Sequence, residues 1–529
     1  MRSTRRDGFR NRAEFYLTTH FPGLWRLVQR VPPLRCLVNR ILINRAILKM
    51  PTRPNPLSTM ADYTSWPSLT DRTFDARHLP PAEVQPFPSD VERVVELFRR
   101  KDGTRLCPKS TVLFPYFAEW FTDGFLRSDR SESRDLRRNE SNHEIDLMQL
   151  YGLTSAQTQD LRSGQNGRLK SQIINGEEFP PYLCQDGEIK PEFSSLRVVH
   201  FKQLSDAQKS TLFAMGSDTS NFQLGFVLMN VLFLREHNRV AGRLAQQYPT
   251  WSGDRLFETT RNILTVLLIK IVIEEYINHL TPYYFQFQAD PKAFTNKRWY
   301  RTNWMAIEFN LLYRWHSAVP SRLRIDGQEY TIAKTLWPGE LVTRRGLGPH
   351  FEDASRQPAA QIGVFNTDDS PLQVERESTF SLLDVERESI DQARVVELAT
   401  YNDYRAYCGF PRVTRFNQIS GDSGVQSALR DVYGHVDRIE FYVGLFAEDP
   451  RPNSVLPSLM GRMVAVDAFS QALTNPLLAP RVFNEETFSP LGMELIRTTR
   501  KLSDLVERNV PPGSQPSRVS MTREDWQRV

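Results

Sequence analysis

The chain has 529 residues, of which 40% are hydrophobic and 24% are charged. These proportions are typical of a folded protein, and they exclude a mainly disordered, collagenous or disulfide-stapled chain. The formal net charge of +5 is unevenly distributed, because residues 1–50 contain ten arginines and Lys49 against Asp7 and Glu14, and so carry +9. The remainder of the chain is slightly acidic, and the basic character belongs to the N-terminal segment.

Three further features constrain the cellular setting. The four cysteines form no CxxC pair, which excludes a zinc ribbon or a thioredoxin-type site and favours reduced thiols. The longest apolar run, at 263–273, contains Lys270 and falls short of the roughly 20 residues that span a bilayer. The N-terminus has no apolar signal-peptide core. We therefore expect no transmembrane helix, and a cytoplasmic protein that is peripheral on the inner face of a membrane.

Residues 1–55 are predicted to form short amphipathic helices. Aromatic and aliphatic residues alternate here with arginines, which is typical of monotopic segments that place apolar faces in lipid and cations at anionic headgroups. Two alternatives stay open: helices that pack on the main domain with a solvated basic face, and a basic arm that binds nucleic acid. We expect the membrane surface, and no nucleic acid, as the partner of this segment.

The rest of the chain is predicted to be mainly helical. After proline-rich connections at 51–56 and 78–88, apolar residues recur at three- and four-residue spacing. The predicted helices are 89–101, 110–126, 206–247, 253–280 and 303–315. Clean strand alternation is rare, so the fold class is mainly α, with one large domain over 56–510. Residues 511–529, which begin PPGSQPS, are predicted to be a mobile tail.

Two chemically distinctive patterns lie on predicted helices. Tyr313 and His316 are three residues apart on an apolar helical stripe, so a phenol and an imidazole share one face. The stripe also contains Phe309 and Leu312, and it is either plain core or the wall of a cofactor site. The second pattern is FLREHNRVAGRL at 233–244, where charged residues in an apolar helix require partners. Alone, it predicts a buried polar network.

Eight segments follow one another along the chain in a recognisable series. They are DYTSWPS, NHEIDLMQLYG, LKSQIINGEEFPP, FLREHNRV, IKIVIEEYINHLTPYYF, EFNLLYRWH, ESIDQARVVELATYNDYR and RVFNEETFSPLGMELI. This series resembles the haem peroxidase and cyclooxygenase superfamily, and most closely the prostaglandin endoperoxide synthases and related fatty-acid dioxygenases. The resemblance implies a large single haem-peroxidase-type helical domain, of a bacterial type that lacks the growth-factor-like module of the animal synthases.

By this resemblance, His316 is the proximal ligand of the haem iron. Tyr313 is the tyrosine that becomes a radical and takes hydrogen from the substrate. A neutral imidazole is a good iron ligand, and a phenol nearby can exchange an electron with the haem. The acidic residues that ester-link haem in leukocyte peroxidases have no match, so the implied cofactor is non-covalent haem b, with dioxygen as co-substrate.

The resemblance also implies a fatty-acid channel. Its lining positions match Tyr276, Ile277, Leu280, Tyr283, Phe309 and Leu312. Tyr283 lies at the implied channel mouth and helps to hold the fatty-acid carboxylate. The family's carboxylate-pairing arginine falls, with a one-residue gap, on Ala46. The neighbouring Arg45 is therefore the candidate, with Lys49 and Arg53 as alternatives.

The distal side of the haem departs from the family pattern. Where the family has a glutamine and, four residues later, a histidine, this sequence has Glu119 and Asp123. One interpretation is that these carboxylates handle protons over the haem, as carboxylates can when a poorly solvated site raises their pKa. The other is that the helix persists while its catalytic face has decayed. The sequence leaves both open.

We therefore expect a haem-dependent dioxygenase of long-chain unsaturated fatty acids. The haem oxidises Tyr313, the tyrosyl radical removes a hydrogen atom, and dioxygen traps the carbon radical. The first alternative is a haem peroxidase or peroxygenase that uses Glu119 and Asp123 as acid and base. The second is a non-enzymatic haem-binding membrane protein. A second copy of the chain, in a homodimer, is a further expected partner.

Overall fold

The computed structural model describes residues 13–50, 57–82, 87–88, 90–129, 134–291, 293–302, 304–373 and 379–528. Helices dominate these ranges, and the strands within them pair as two-stranded ribbons. The prediction of a mainly α fold is confirmed.

The helices are as follows. The N-terminal half contains α1 (13–19), α2 (Pro22–Arg30), α3 (Pro32–Ile47), α4 (Trp66–Thr70), α5 (Val91–Val95), α6 (Leu113–Asp123), α7 (Met148–Tyr151), α8 (Ser155–Leu161), α9 (Asp206–Lys209), α10 (Leu224–Gln247) and α11 (Gly253–Ile271). A π-helical turn, Val272–Ile277, continues α11 into α12 (Asn278–Leu280). The C-terminal half contains α13 (Ile307–Leu312), α14 (Gly339–Arg345), α15 (Leu347–Arg356), α16 (Leu382–Val395), α17 (Tyr401–Tyr407), α18 (Ser423–Tyr433), α19 (Phe441–Ala447), α20 (Ser458–Leu473), α21 (Glu485–Thr498) and α22 (Leu502–Asn509).

The strands are short and antiparallel. β1 (Leu106–Thr111) pairs with the distant β8 (Pro358–Ala360). The other pairs are β2 (Gln172–Ile174) with β3 (Glu177–Phe179), β4 (Cys184–Gln185) with β5 (Glu188–Ile189), β6 (Arg322–Ile325) with β7 (Gln328–Thr331), and β9 (Leu372–Gln373) with β10 (Thr379–Phe380). Ribbons of this size cannot enclose a core, so the hydrophobic core is built by helices.

Two long helices, α10 and α11, form the centre of the molecule. Every side chain of α10 from 224 to 238 is buried, as expected of a helix with apolar residues on all sides. α10 packs against α6, α11 and α22, and α11 packs against α21. The helices that hold the candidate site therefore rest on a rigid central pair.

The polar residues of α10 form the buried network that the sequence predicts. Glu236 is wholly buried and pairs with Arg239 and Arg508, each at 2.8 Å. Nε2 of His237 donates to a backbone carbonyl, which leaves Nδ1 to accept a hydrogen bond of 2.9 Å from the Tyr151 hydroxyl. Burial lowers the pKa of His237 to about 3. His237 is thus a neutral structural histidine.

Several predicted helices are shorter in the structure than the apolar spacing indicates. Of the predicted helix 89–101, the structure describes residues 90–101, and within these only Val91–Val95 is α-helical. The predicted helix 206–247 divides into α9 and α10, because Gly216 in the intervening loop lies against the backbone of another segment. A Cβ on Gly216 would meet Gly152 N at 2.4 Å. Backbone contacts of this kind interrupt a helix without changing its apolar periodicity.

The segment around the predicted site also differs from the expected helix. α13 ends at Leu312, Tyr313 is its C-cap, and His316 begins a separate 3₁₀ turn, His316–Ala318. The backbone of Trp315 has φ −88° and ψ 44°, which lies outside the helical region. The prediction that Tyr313 and His316 share one helix face is therefore wrong, although the chain keeps them close.

The N-terminal helices α1–α3 pack on the main domain by one face. The buried side chains of this face include Trp25, Val28, Ile43 and Ile47, and α3 lies against α20. The opposite face carries exposed apolar side chains, namely Tyr16, Leu17, Phe21, Leu24, Leu27, Val31, Leu34, Leu37, Ile41 and Leu48. Such a large exposed apolar surface is rare on monomeric proteins that do not bind a partner or a membrane. In the described ranges, no helix has the length and apolarity needed to cross a bilayer.

The C-terminal residues are ordered against the domain, contrary to the predicted mobile tail over 511–529. The Thr111 amide donates to the Met521 carbonyl at 2.9 Å, and the Arg523 amide donates to the Lys109 carbonyl at 2.8 Å. The Met521 side chain is 1% exposed. The proline-rich start of the segment suggested mobility, but the residues after it extend the edge of β1.

We predict that Met521→Ala lowers the free energy of unfolding by about 2–5 kcal/mol, because it removes a buried side chain and leaves a cavity. Gln527→Ala, an exposed change in the same segment, should leave stability unchanged. Urea denaturation of the two variants measures both effects. Equal stability of both variants and the parent would mean that the segment does not pack in solution.

Candidate functional site

One face of α6 is accessible to solvent. Tyr116 and Asp123 are half-buried and Glu119 is exposed, whereas the helix's other side chains are buried. The three residues fall at i, i+3 and i+7, which places them on a single face of the helix. The remaining surface of α6 packs into the core, and we call the solvent-accessible space in front of its open face the cleft.

Glu119 lies at the middle of this open face. Its carboxylate accepts a hydrogen bond of 2.7 Å from the Gln223 side chain. The surrounding protein raises the pKa of Glu119 to about 7 by desolvation, and the Asp123 charge adds to the increase, while Gln223 opposes it. The Glu119 side chain is open to solvent, but the surrounding protein still desolvates it in part. Glu119 can therefore gain or lose a proton near neutral pH.

Asp123 has a different environment, although it is only one turn away. Its Oδ1 pairs with Arg127 at 3.0 Å, and its Oδ2 accepts hydrogen bonds from Ser217 at 2.7 Å and Thr219 at 2.8 Å. Arg127 also pairs with Asp218 at 2.5 Å. Asp123 thus links α6 to the loop that precedes α10. The sequence alone could not distinguish the roles of Glu119 and Asp123, because their partners come from a distant loop.

The imidazole of His316 faces a buried carboxylate. Its Nδ1 lies 3.7 Å from Oε1 of Glu386, and the His316 side chain is 23% exposed. Glu386 is wholly buried and accepts hydrogen bonds from the Thr367 hydroxyl at 2.9 Å and from the Tyr442 hydroxyl. These two donors fix the carboxylate in place, so its charge is directed toward one edge of the imidazole.

This arrangement fits a metal-binding imidazole. Within the described part of the chain, the buried Nδ1 of His316 has no partner in hydrogen-bond geometry. Histidines that bind a metal through one nitrogen generally donate the other N–H to a carboxylate or a carbonyl. Glu386 can accept that proton, which leaves Nε2 as the nitrogen for the iron. The donor set is therefore compatible with the haem that the sequence implies.

The sequence contains a signal for Glu386 that our sequence analysis did not use. Leu383, Glu386, Ile390 and Ala393 are all buried and recur at three- and four-residue spacing along α16. A glutamate within such an apolar stripe requires a partner. The identity of that partner depends on the fold, because His316 lies 70 residues earlier in the chain.

Tyr313 lies in a cluster of aromatic rings between α6 and the His316 turn. Its ring is 4.6 Å from the Trp315 ring and 5.0 Å from the Phe309 ring. Trp315 in turn stacks on Phe114 of α6 at 5.6 Å, and Phe114 stacks on Tyr276 at 5.9 Å. The structure thus brings both predicted tyrosines into one cluster.

The hydroxyl groups of Tyr276 and Tyr313 are buried, and in the described ranges neither has a partner in good hydrogen-bond geometry. They nonetheless influence each other. Burial raises the pKa of the Tyr313 phenol, the neighbouring Tyr276 hydroxyl opposes this increase, and the Asp467 carboxylate adds to it. Tyr313 is therefore a neutral phenol across the physiological pH range.

The other predicted lining residues are mostly buried. The four apolar ones are almost wholly so, namely Ile277 (2% exposed), Leu280 (3%), Phe309 (1%) and Leu312 (0%). Tyr283 follows α12 and is half-buried. Phe309 contacts Tyr313, and the channel itself stays a prediction.

Two of the cations expected to bind the fatty-acid carboxylate, Arg45 and Lys49, are paired with a glutamate of the protein instead. Arg45 NH2 and Lys49 Nζ pair with the two oxygens of Glu14, at 2.8 and 2.7 Å. The Arg45 side chain is 52% exposed. Arg53, the remaining alternative, lies outside the described residues. The phenol of Tyr283 is instead close to Arg451 and Arg462, whose charges lower its pKa against the effect of burial.

Comparison with known proteins identifies the family of the chain. The animal haem peroxidase family model matches residues 114–520. The chain belongs to this family. It is similar to prostaglandin G/H synthase 2 of Equus caballus, with 31% identity over 94% of this chain and 80% of the relative. It is also similar to prostaglandin G/H synthase 1 of Mus musculus, with 29% identity over 94% of this chain and 81% of the relative.

Solved structures show the same fold. The fatty acid alpha-dioxygenase of Oryza sativa superposes with a TM-score of 0.68 at 15% identity, over 93% of each chain. Peroxidase A of Dictyostelium discoideum superposes with a TM-score of 0.66 at 16% identity, over 85% of this chain and 94% of the other. The resemblance noted in the sequence is confirmed, and the chain is a haem-type oxidoreductase by family.

We predict that Glu386→Gln retains haem but raises the Fe(III)/Fe(II) midpoint potential. An amide in place of the carboxylate makes the imidazole a weaker electron donor to the iron. The measurements are spectroelectrochemistry and the iron–histidine stretching frequency, which should fall. Glu388→Gln, an exposed change on the same helix, is the control. His316→Ala should lose the Soret band, and an unchanged potential in Glu386→Gln would contradict the interaction.

We predict that Glu119→Gln and Asp123→Asn have opposite effects on stability. The raised pKa of Glu119 means that the parent loses stability as pH rises from about 4.5 to 7. Glu119→Gln lacks this titrating group, so its free energy of unfolding should rise relative to that of the parent between pH 5 and pH 8. Asp123→Asn disrupts a buried ion pair with Arg127 and should cost about 3 kcal/mol at both pH values. Urea denaturation at the two pH values measures both effects. A pH-independent difference between Glu119→Gln and the parent would contradict the raised pKa.

Proposed function

We propose that the protein oxygenates a long-chain fatty acid in a haem-dependent reaction that passes through a radical on Tyr313. The observation that carries this proposal is the position of Tyr313, a buried neutral phenol three residues before the candidate iron ligand and inside an aromatic cluster. The relatives support the substrate class. One solved alpha-dioxygenase with this fold contains palmitic acid, and the prostaglandin G/H synthases are about 30% identical over most of the chain.

Three residues of the chain would hold and tune non-covalent haem b. His316 would bind the iron through Nε2, Glu386 would accept the Nδ1 proton, and Glu119 would face the cleft from α6. When bound, the haem supplies a one-electron oxidant. Because Glu119 has a pKa of about 7, it is better placed than the ion-paired Asp123 to move a proton in this cleft.

The chain's own residues determine how Tyr313 reacts. Its raised pKa keeps the phenol protonated, so loss of an electron must be accompanied by loss of the proton, and the Tyr276 hydroxyl is the polar group beside it. The Tyr313 radical then takes a hydrogen atom from the fatty acid and becomes a phenol again. Dioxygen adds to the carbon radical, and the resulting peroxyl radical takes the hydrogen atom back from Tyr313. The net reaction adds one dioxygen to one C–H bond.

Glu119 favours a second candidate function, which is the peroxide-dependent oxidation of small substrates. A carboxyl with a pKa of about 7 can act as acid and base near neutral pH, as the missing histidine would. Asp123, the other predicted member of the pair, is held by Arg127, Ser217 and Thr219. We therefore assign the proton-handling role in this alternative to Glu119 alone.

We predict that Tyr313→Phe abolishes fatty-acid oxygenation while it retains haem and folding. The change removes one oxygen atom, so the free energy of unfolding should fall by about 1 kcal/mol or less. Tyr330→Phe, at a half-buried position in the β6–β7 ribbon, should keep full activity. Oxygen uptake with a panel of fatty acids, with mass spectrometry of the products, makes the measurement. Undiminished uptake by Tyr313→Phe would exclude the tyrosyl mechanism.

We also propose that the exposed apolar face of α1–α3 rests in one leaflet of a membrane, on the cytoplasmic side. Lipid explains both the exposed apolar side chains and the arginines between them. The alternative of packing on the domain accounts for the opposite, buried face. The two interpretations therefore describe different faces of the same helices.

We predict that the triple change of Leu24, Leu27 and Leu37 to serine weakens binding to phosphatidylserine vesicles by at least about tenfold, because each buried leucine side chain contributes about 2 kcal/mol. The matched control changes Ile173 and Val395 to serine, since these are exposed apolar residues outside the N-terminal helices. Vesicle sedimentation measures binding. Equal sedimentation of the triple variant and the control would refute the membrane assignment.

A further inference from the structure

Three half-buried cations form what we call the basic cluster: Lys49, Arg451 and Arg462. Lys49 follows α3, Arg451 precedes α20, and Arg462 lies in the second turn of α20. Lys49 is 16% exposed, and both arginines are half-buried. Arg451 and Arg462 both lie over the ring of Phe410, at 5.6 and 4.7 Å. Arg451 also lies over Phe15, and the preceding residue, Glu14, pairs with Lys49. The charges of the two arginines also act on the phenol of Tyr283.

The two arginines of the basic cluster are held by neutral groups. Arg451 Nε donates to the Ser458 hydroxyl at 2.5 Å, and its guanidinium lies 4.5 Å from the ring of Phe15. Arg462 donates to a backbone carbonyl at 3.1 Å and lies 4.7 Å from the ring of Phe410. Within the described ranges, neither guanidinium is paired with a carboxylate. Their positions are fixed while their charges are not neutralised.

The acidic groups nearby do not balance these charges. Glu14 is shared between Lys49 and Arg45. Glu448 is paired with another cation, Arg405, at 2.9 Å. Burial and the charge of Arg462 together lower the pKa of Lys49 to about 8 in spite of its contact with Glu14. Closely spaced, desolvated cations are costly without an anion, so the site is built to receive one.

We propose that the basic cluster binds the head group of an acyl ligand through a phosphate-type group that carries two negative charges. The inference rests on the proposed function for the course of the acyl chain, since Tyr283 is the predicted channel mouth. The binding of the head group is independent of catalysis and can be measured alone. It differs from the expected contact between a carboxylate and Arg45, because Arg45 is exposed and occupied by Glu14.

The charge and geometry of the cluster favour a phosphate over a carboxylate. The cluster and the adjacent Arg45 together carry four positive charges. Among the described residues, Glu14 carries the one negative charge that is paired with them. A single carboxylate would leave an excess of two positive charges, whereas a phosphate monoester carries about −1.5 to −2 at neutral pH and three acceptor oxygens. Arginine is also well suited to phosphate recognition, because its planar donors match two phosphate oxygens.

Helix α20 connects the basic cluster to the surroundings of Tyr313. α20 runs from Arg462 toward α13, and its Phe469 contacts Phe287 at a ring separation of 5.0 Å. Asp467, five residues after Arg462, is near enough to Tyr313 to raise its pKa. At a rise of about 1.5 Å per residue, five residues of helix span roughly 8 Å. An acyl chain anchored at the cluster can therefore pass the reactive phenol.

The test compares soluble ligands with the same chain length by isothermal titration calorimetry at pH 7.5. The ligands are dodecyl phosphate, dodecanoate and inorganic phosphate, each titrated into the full-length haem-loaded protein. We expect dodecyl phosphate to bind at least about tenfold more tightly than dodecanoate, since charge-assisted hydrogen bonds to two guanidinium groups are gained. This comparison needs no variant, so it does not depend on a variant's folding.

Variants then identify the residues responsible. Arg451→Gln and Arg462→Gln should each remove most of the preference for dodecyl phosphate, whereas Arg462→Lys should keep part of it. Arg40→Gln, which changes a surface arginine paired with Asp290, is the matched control and should keep the full preference. Circular dichroism confirms that each variant is folded.

Each remaining outcome has a defined meaning. Equal or tighter binding of dodecanoate would overturn the proposal, and so would a preference that survives both glutamine changes. Inorganic phosphate that binds as tightly as dodecyl phosphate would show that the site recognises the free anion and not a lipid head group. If no fatty acid supports oxygen uptake while the phosphate preference remains, the proposed function fails and this inference stands.

Discussion

The candidate site depends on the aromatic contact between α6 and the segment that follows α13. Phe114 stacks on both Tyr276 and Trp315, and Trp315 lies against Tyr313. These rings hold the cleft face of α6 at a fixed distance from the His316 turn. Aromatic pairs of this kind add about 0.5–1.5 kcal/mol each beyond the area they bury, and they restrict ring orientation. The helix that carries Glu119 and the turn that carries His316 are therefore positioned by the same cluster that encloses Tyr313.

The distribution of carboxylates around the site indicates a different balance of proton and electron chemistry from that of a histidine-based peroxidase. On the α6 side, Asp123 is a structural anchor and Glu119 is the group that titrates near neutral pH. On the other side, Glu386 faces the imidazole of His316. A carboxylate behind the ligand makes the imidazole a stronger donor, which favours oxidised iron. The chain thus carries one carboxyl, Glu119, on the open face of α6 and a second, Glu386, beside His316.

The sequence predicted the fold class, the family and the proximity of Tyr313 to His316, because these depend on apolar periodicity and on contiguous motifs. It did not predict the division of the 206–247 helix or the packing of the C-terminal segment, because both depend on backbone contacts with distant residues. The roles of Asp123 and Glu386 were hidden for the same reason. Their partners, Ser217 and His316, come from parts of the chain whose proximity only the fold determines.

The same reasoning applies to the charge of the N-terminal segment. Its net charge of +9 suggested that attraction to anionic lipid dominates, but several of these cations form ion pairs within the protein. Arg40 pairs with Asp290, and Arg45 and Lys49 share Glu14. Cations that are paired within the protein contribute little to a surface potential, whereas the exposed apolar face is not screened by salt. If these helices bind a membrane, the apolar face supplies most of the affinity. The basic residues near α20 then act within the protein and not at the lipid surface.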